Sequence, residues 1–111
     1  MIDHTFAEKI VLDHLQTNWL PNAEIRRYVE YDWGWLFFYN AKDARGEFPS
    51  RFDNFPIIVD REDGAIVTNG FSLKDELCAG LYAKYRQYIR EGRTDMTTLA
   101  RAWLRKEITL D

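Results

Sequence analysis

The residues of this chain that could do chemistry are few, and their spacing favours structural roles. His4 and His14 are ten positions apart, whereas two histidines that bind a metal from one helix face are about four apart. Asp60, Glu62 and Asp63 form an acidic run before a glycine. This run lacks the alternating ligands and the distal glutamate of a calcium-binding loop. A turn explains the same residues without an ion.

Other catalytic arrangements are also missing from the sequence. Glu30 and Asp32 could meet on one strand face, but acid–base catalysis would require one of them to be buried with a shifted pKa. The single cysteine, Cys78, excludes an internal disulfide and a multi-thiolate zinc site. It lies in a helical pattern, which predicts a buried structural thiol. We therefore expect no enzymatic activity, no cofactor and no metal.

Length and composition predict one domain, residues 1–111. The chain is 46% hydrophobic and 15% aromatic, which is enough for a core and atypical of disorder. No apolar run approaches the roughly 20 residues of a membrane span. The first segment carries charges where a signal peptide would be apolar. These features predict a cytoplasmic protein that has no membrane partner.

The charge is unevenly distributed. Residues 1–64 hold 12 acids and 7 bases, whereas residues 65–111 hold 6 acids and 8 bases. An acidic half could attract a basic partner, but ordinary solvated surface is the preferred interpretation of an imbalance of this size. With a pI of about 5.4, a nucleic-acid interface is not expected. A solvated helix face is the preferred interpretation of the basic residues Lys84, Arg86, Arg90, Arg93, Arg101, Arg105 and Lys106.

Hydrophobic periodicity predicts the elements of the first third of the chain. A capping box at Thr5 and Glu8, followed by apolar residues about four apart, predicts a helix over residues 4–20. Residues 24–31 alternate between apolar and polar, which predicts a strand with one solvent-exposed face. The residues predicted to share the apolar face are Ile25, Val29 and Tyr31.

The middle of the chain predicts a sheet interrupted by a loop. Residues 35–39 are apolar on both faces, as is typical of a central strand, and a tight hairpin is expected before them. Residues 41–54 form a polar loop whose length favours function or flexibility. Residues 55–60 and 65–68 predict two more strands, which a turn at residues 61–64 connects.

Two helices are predicted at the end of the chain. Ser72 and Asp75 predict the start of a long helix, with a buried stripe of Leu73, Leu77, Leu81, Tyr85 and Tyr88. After Thr94 or Asp95 as cap, a last helix ends near Lys106, with a stripe of Met96, Leu99, Ala100, Trp103 and Leu104. The predicted order is α-β-β-β-β-α-α. This is an α+β fold in which an N-terminal helix and two C-terminal helices pack on a four-stranded antiparallel sheet.

Several short elements occur in the order seen in one family of small bacterial proteins. They are the aromatic strand at residues 34–39, Asn54-Phe55-Pro56, the apolar strand ending at Asp60, and the turn Asp63-Gly64. Through them the chain resembles the immunity protein 35 (YrhB-like) family over roughly residues 5–90. The helix after Thr94 is additional to that pattern, and Asp53 stands where the family usually has a glycine.

The resemblance implies an antidote that binds one cognate toxin domain and blocks it by stoichiometric occlusion, without turnover. The expected contact surface is the 41–54 loop with two acids beside it. The predicted contact residues are Glu30, Asp32, Asp43, Glu47, Phe48, Arg51 and Phe52. The alternative is a chaperone-like holdase or client-binding adaptor without a dedicated toxin. A homodimer stays open. Phe48 and Phe52 could either pin the loop to the core or be exposed for a partner, and the sequence does not decide between the two.

Overall fold

The computed structural model of the protein describes residues 1–18, 20–49, 56–68 and 74–110. Within these ranges the secondary structure consists of α1 (His4–Asn18), β1 (Ala23–Tyr31), β2 (Gly34–Ala41), β3 (Ile57–Asp60), β4 (Ile66–Val67), α2 (Asp75–Arg90) and α3 (Met96–Leu104). The predicted α+β order is therefore confirmed. None of the helices in the described ranges combines the length and the hydropathy needed to cross a bilayer.

The four strands form one antiparallel sheet in the order β1-β2-β3-β4. Tyr31 pairs with Gly34, so the tight hairpin predicted between the first two strands is confirmed. Gly34 adopts a φ of 150°, and a Cβ at this position would lie 2.0 Å from the carbonyl oxygen of Val59. Only glycine lets β3 approach β2 this closely.

Helices cover both faces of the sheet. The side chains of β2 point alternately to the two faces, and every residue of β2 except the last is buried. On one face, α1 packs against Trp35, Phe37 and Tyr39; on the other, α2 and α3 pack against Leu36 and Phe38. The prediction that this strand is apolar on both faces because both are covered is thereby confirmed.

A β-bulge interrupts the pairing of β1. Ile25 pairs with Tyr39 and Arg27 pairs with Phe38, so Arg26 is an extra residue in β1. Ile25 packs with the α1 cluster, whereas Val29 packs with the α2 and α3 cluster. The prediction that Ile25 shares a face with Val29 and Tyr31 is wrong, because one inserted residue sends the preceding side chains to the opposite face.

The start of α1 at residue 4 is confirmed, whereas the predicted helix caps differ in their outcome. The Asp3 side chain accepts a hydrogen bond from the Phe6 N–H, so Thr5 lies inside α1 and the predicted capping box is wrong. Lys74 occupies the N-cap position of α2, but its side chain makes no capping hydrogen bond. The predicted cap residue, Ser72, lies outside the described residues. Of the two predicted candidates, Thr94 and Asp95, it is Asp95 that caps α3, by accepting from the backbone N–H of the third helical residue.

The buried faces of the last two helices differ in part from prediction. Cys78 and Tyr82 join Leu81 in the core, whereas Tyr88 is exposed. Tyr88 lies on the same face as Leu81, two turns further on, but its ring contacts Tyr85 and Arg93 near the end of α2 and does not join the core. In α3 the buried residues are Met96, Leu99 and Ala100. Trp103 and Leu104 are exposed, because only the first turns of α3 contact the core. The predicted burial of Cys78 is confirmed.

Candidate functional site

Charged residues converge where two turns of the sheet meet. Gly34 pairs with Asp60, so the β1–β2 turn and the β3–β4 turn lie at the same end of the sheet. The C-terminal half of α2 passes over this end and places Arg86 and Arg90 there. We call this region the acidic end and define it by its four exposed carboxylates, Glu30, Asp32, Glu62 and Asp63.

A buried carboxylate, Asp60, lies beneath the acidic end. It accepts hydrogen bonds from the Tyr82 hydroxyl at 2.5 Å and from Arg86 Nε and Nη2 at 2.7 and 2.8 Å. The backbone N–H of Glu62 donates a further bond at 2.9 Å. Burial raises the pKa of Asp60, but these donors outweigh it and lower the pKa to about 2. The carboxylate therefore stays ionised inside the fold.

Tyr82 and Arg86 remain protonated partners of this carboxylate. Burial and the hydrogen bond to Asp60 raise the pKa of the Tyr82 phenol, so its hydroxyl stays a donor. The bidentate bond to Asp60 raises the pKa of the Arg86 guanidinium above its usual value. Arg90 lies 3.4 Å from the same carboxylate. Two cations thus neutralise one buried anion, with geometry that favours the pair.

Arg61 organises the other half of the acidic end. Its Nη2 donates to Glu30 Oε2 at 2.7 Å and to the Tyr31 carbonyl at 2.9 Å, and its Nε donates to the Asp32 carbonyl at 3.3 Å. Its guanidinium lies 4.4 Å from the ring centroid of Trp35. Arg61 therefore connects the β3–β4 turn to the β1–β2 hairpin through both polar and aromatic contacts.

The carboxylates of the acidic end are more exposed than the guanidinium groups that hold them. The side chains of Glu30, Glu62 and Asp63 are 56%, 60% and 51% exposed. The three arginines are between 23% and 31% exposed. Asp32 is also exposed, and within the described ranges its carboxylate makes no hydrogen bond or ion pair. The surface that a partner meets first is therefore acidic.

A cleft of about 570 Å³ opens beside the acidic end. Trp33 lines it and is fixed by two aromatic neighbours. Its ring stacks on Tyr31 with centroids 5.0 Å apart and 7° between planes, and it meets Tyr82 edge-on at 4.8 Å. The other lining residues are Met1, Asp32, Arg61, Glu62, Ala83 and Arg86. The cleft thus combines an aromatic wall with charges of both signs.

The predicted contact residues do not lie together. Glu30 and Asp32 belong to the acidic end, but the predicted loop starts after Ala41, at the far end of β2. Eight residues of strand separate the two regions, which amounts to about 24 Å. The prediction that the two acids lie beside the loop is therefore wrong for residues 41–49, the part of the loop that the structure describes. Arg51 and Phe52 lie outside the described residues.

The described part of the loop has its own internal order. The Asp43 carboxylate accepts from the backbone N–H groups of Arg45 at 2.8 Å and Glu47 at 3.0 Å. Phe48 is partly buried, and the Arg26 guanidinium lies 3.8 Å from its ring centroid. Phe48 is not among the residues of either core cluster, so the choice between pinning the loop to the core and contacting a partner stays open for Phe48, and Phe52 lies outside the described residues.

Arginine pairing at the acidic end was not expected from the sequence. The preferred interpretation of Arg86 and Arg90 was a solvated helix face, and this is wrong for both, because they pair with Asp60, Glu62 and Asp63. Two signals were available. The arginines are four residues apart on one helix face, and Asp60 is a charge at the end of an apolar strand.

Two of the candidates from the sequence, His4 and Cys78, lie in the described ranges. No group of three or more histidine, cysteine, aspartate or glutamate side chains there could hold a metal ion. The His4 ring packs against Tyr28 with centroids 4.0 Å apart and 39° between the ring planes, which is a packing role. Cys78 is buried, and burial raises the pKa of its thiol to about 12.

Comparison of the chain with protein-family models, with curated proteins and with solved structures finds no match.

Proposed function

We propose that this protein is an immunity protein that neutralises a cognate bacterial toxin domain by binding it stoichiometrically. The acidic end is the proposed contact surface. The observation that carries the proposal is a difference in solvent exposure at the acidic end. The side chains of Glu30, Glu62 and Asp63 are more exposed than the arginine side chains that bind them. A surface of this sign favours a basic partner, because complementary charge accelerates association and excludes acidic competitors.

The rigidity of this surface adds support. Arg61 holds Glu30, Arg86 holds Glu62, and Arg90 holds Asp63 at 2.8 Å. Side chains that are already ordered lose less conformational entropy when a partner binds. Trp33 at the edge of the carboxylates supplies the aromatic surface that protein interfaces use as an anchor. Charge would set the rate of arrival, and the aromatic contact would slow dissociation.

The proposal is tested by co-expression with the toxin domain encoded in the neighbouring reading frame. The expected result is restored growth and a co-purifying 1:1 complex. The variant Glu62→Gln/Asp63→Asn removes two charges with little change of shape, and we expect its association rate to fall about tenfold at low salt. The matched control is Asp13→Asn/Glu24→Gln, which removes two exposed charges elsewhere.

Persistent toxicity without a complex would overturn the proposal. Equal association rates for the wild type, the control and the Glu62→Gln/Asp63→Asn variant would overturn the assignment of the surface. The rates are measured by surface plasmon resonance at two salt concentrations, because a charge-steered encounter slows as salt screens it.

The holdase alternative is favoured by a different observation. Phe6 and Tyr28 are exposed on one side of the fold, and Trp103 and Leu104 are exposed on the other. Exposed apolar residues of this size bind unfolded chains when they form a patch. If the protein is a holdase, it suppresses the thermal aggregation of citrate synthase, and the variant Trp103→Ser/Leu104→Ser loses this effect. Unchanged aggregation of citrate synthase would exclude this alternative.

A further inference from the structure

We infer that the cleft beside Trp33 receives one arginine side chain of a protein partner. The inference rests on the proposed function, since it names the group that the acidic end recognises. It starts from three properties of the cleft: its unbalanced charge, its aromatic wall and its size.

One carboxylate that lines the cleft has no partner among the described residues. Arg61 is already bound to Glu30 and to two backbone carbonyl groups. Arg86 directs its Nε and Nη2 at the carboxylates of Asp60 and Glu62. The Asp32 carboxylate, by contrast, has no hydrogen-bond or ion-pair partner in the part of the chain that the structure describes. A cation that entered the cleft would complete this pairing, whereas an anion would compete with carboxylates already in place.

The aromatic wall of the cleft also favours a positively charged ligand, in particular one with a flat guanidinium group. Tryptophan is the aromatic side chain that attracts cations most strongly, and Trp33 is held in place by Tyr31 and Tyr82. Among the described residues, four arginines already make this contact, one of them Arg93 over the ring of Tyr88 at 4.5 Å. A guanidinium group lies 4.4 Å from the Trp35 centroid, 3.6 Å from that of Phe38 and 3.8 Å from that of Phe48.

Shape and size select arginine over lysine. Asp32 and Glu62 both line the cleft, and a planar guanidinium can donate to two carboxylates while it stacks on a ring. An ammonium group offers a compact charge without a planar face. The volume of about 570 Å³ falls within the range of ligand sites, roughly 300–1,000 Å³. It accommodates one long side chain together with part of the partner's backbone.

The test uses Nα-acetyl-arginine amide as the probe and NMR chemical shifts as the readout. We expect saturable shifts of the Trp33 indole N–H and the Asp32 amide, with a dissociation constant on the order of 1–10 mM for so small a ligand. The citrulline analogue, which has the same shape without the charge, should leave both signals in place. The lysine analogue should bind more weakly than arginine.

Two substitutions assign the binding to the cleft. Asp32→Asn should weaken binding of the arginine probe about fivefold, as for loss of a surface ion pair. Glu24→Gln, an exposed acid at the far end of β1, should leave it unchanged. Trp33→Tyr keeps an aromatic ring in the hairpin and should weaken binding without unfolding the protein, which the amide spectrum of the variant verifies.

Equal shifts with citrulline, or unchanged affinity in Asp32→Asn, would overturn the inference. Shifts that map to residues outside the cleft would also overturn it. These results are separable from the test of the proposed function. If the probe fails to bind while Glu62→Gln/Asp63→Asn still slows toxin association, the inference falls and the proposed function stands. If the probe binds while co-expression gives no protection, the proposed function falls.

Discussion

Asp60 and Arg86 form a bidentate pair, with distances of 2.7 and 2.8 Å, that joins the end of β3 to the middle of α2. Asp60 is fully buried, whereas Arg86 reaches it from a partly exposed position. The pair connects two layers of the fold and also supports Glu62, which contacts the same guanidinium at 3.0 Å. The stability of the fold and the order of the acidic end therefore depend on one interaction.

Removal of Arg86 should destabilise the protein strongly. Arg86→Met leaves the Asp60 carboxylate buried without its bidentate donor, and breaking such a pair costs about 3–5 kcal/mol. Arg93→Met, just beyond the end of α2, is the control. Its ion-pair partner is the exposed Glu91, at 4.0 Å, so we expect a loss of about 1 kcal/mol or less. Urea unfolding followed by circular dichroism measures both. Equal losses would contradict the central role of Asp60.

Acid should weaken the fold through Asp60. Its pKa is lowered in the folded state from 3.8 to about 2, so the ionised form stabilises the folded protein above the unfolded pKa. This contribution, about 2 kcal/mol, is lost progressively as the pH falls from about 5 towards 2. Urea midpoints measured across this range should decline, and the decline should be smaller in Asp60→Asn. An unchanged slope in Asp60→Asn would assign the acid sensitivity to other carboxylates.

Gly34 should tolerate no side chain. In Gly34→Ala the new Cβ would lie 2.0 Å from the carbonyl oxygen of Val59, which is backbone and cannot move aside without separating β2 from β3. We expect a loss of at least about 3 kcal/mol. Gly46→Ala is the control, because Gly46 also has a positive φ but no atom within 4 Å of the added Cβ. It should cost about 1 kcal/mol from backbone strain alone. Thermal unfolding of both variants distinguishes a clash from strain.

Cys78 should be unreactive in the folded protein. Its side chain is buried against the sheet and burial raises the pKa of the thiol to about 12, so almost no thiolate exists near neutral pH. We expect labelling by 5,5′-dithiobis(2-nitrobenzoic acid) to be slow in buffer and complete in urea. The rate in buffer should follow unfolding of the chain. Rapid labelling without denaturant would show that α2 leaves the sheet readily.

Local chemistry was sufficient to predict most of the elements. The apolar repeat predicted the helices, the doubly apolar segment predicted the central strand, and Asp95 predicted the start of α3. Each of these features depends on residues a few positions apart, whose effect on the backbone is the same in any fold. The buried Cys78 belongs to the same group, because its neighbours in sequence already formed a helical pattern.

Only the tertiary structure decided which residues meet. The partners of Asp60 are 22 and 26 residues away in sequence, and no local pattern marks such a pair. One bulge at Arg26 moved Ile25 to the other face of the sheet, because alternation is reset by a single inserted residue. The length of β2 separated the predicted loop from Glu30 and Asp32. The sequence by itself determined the elements and their order. The acidic end and its cleft exist only because antiparallel pairing brings two distant turns to the same end of one sheet.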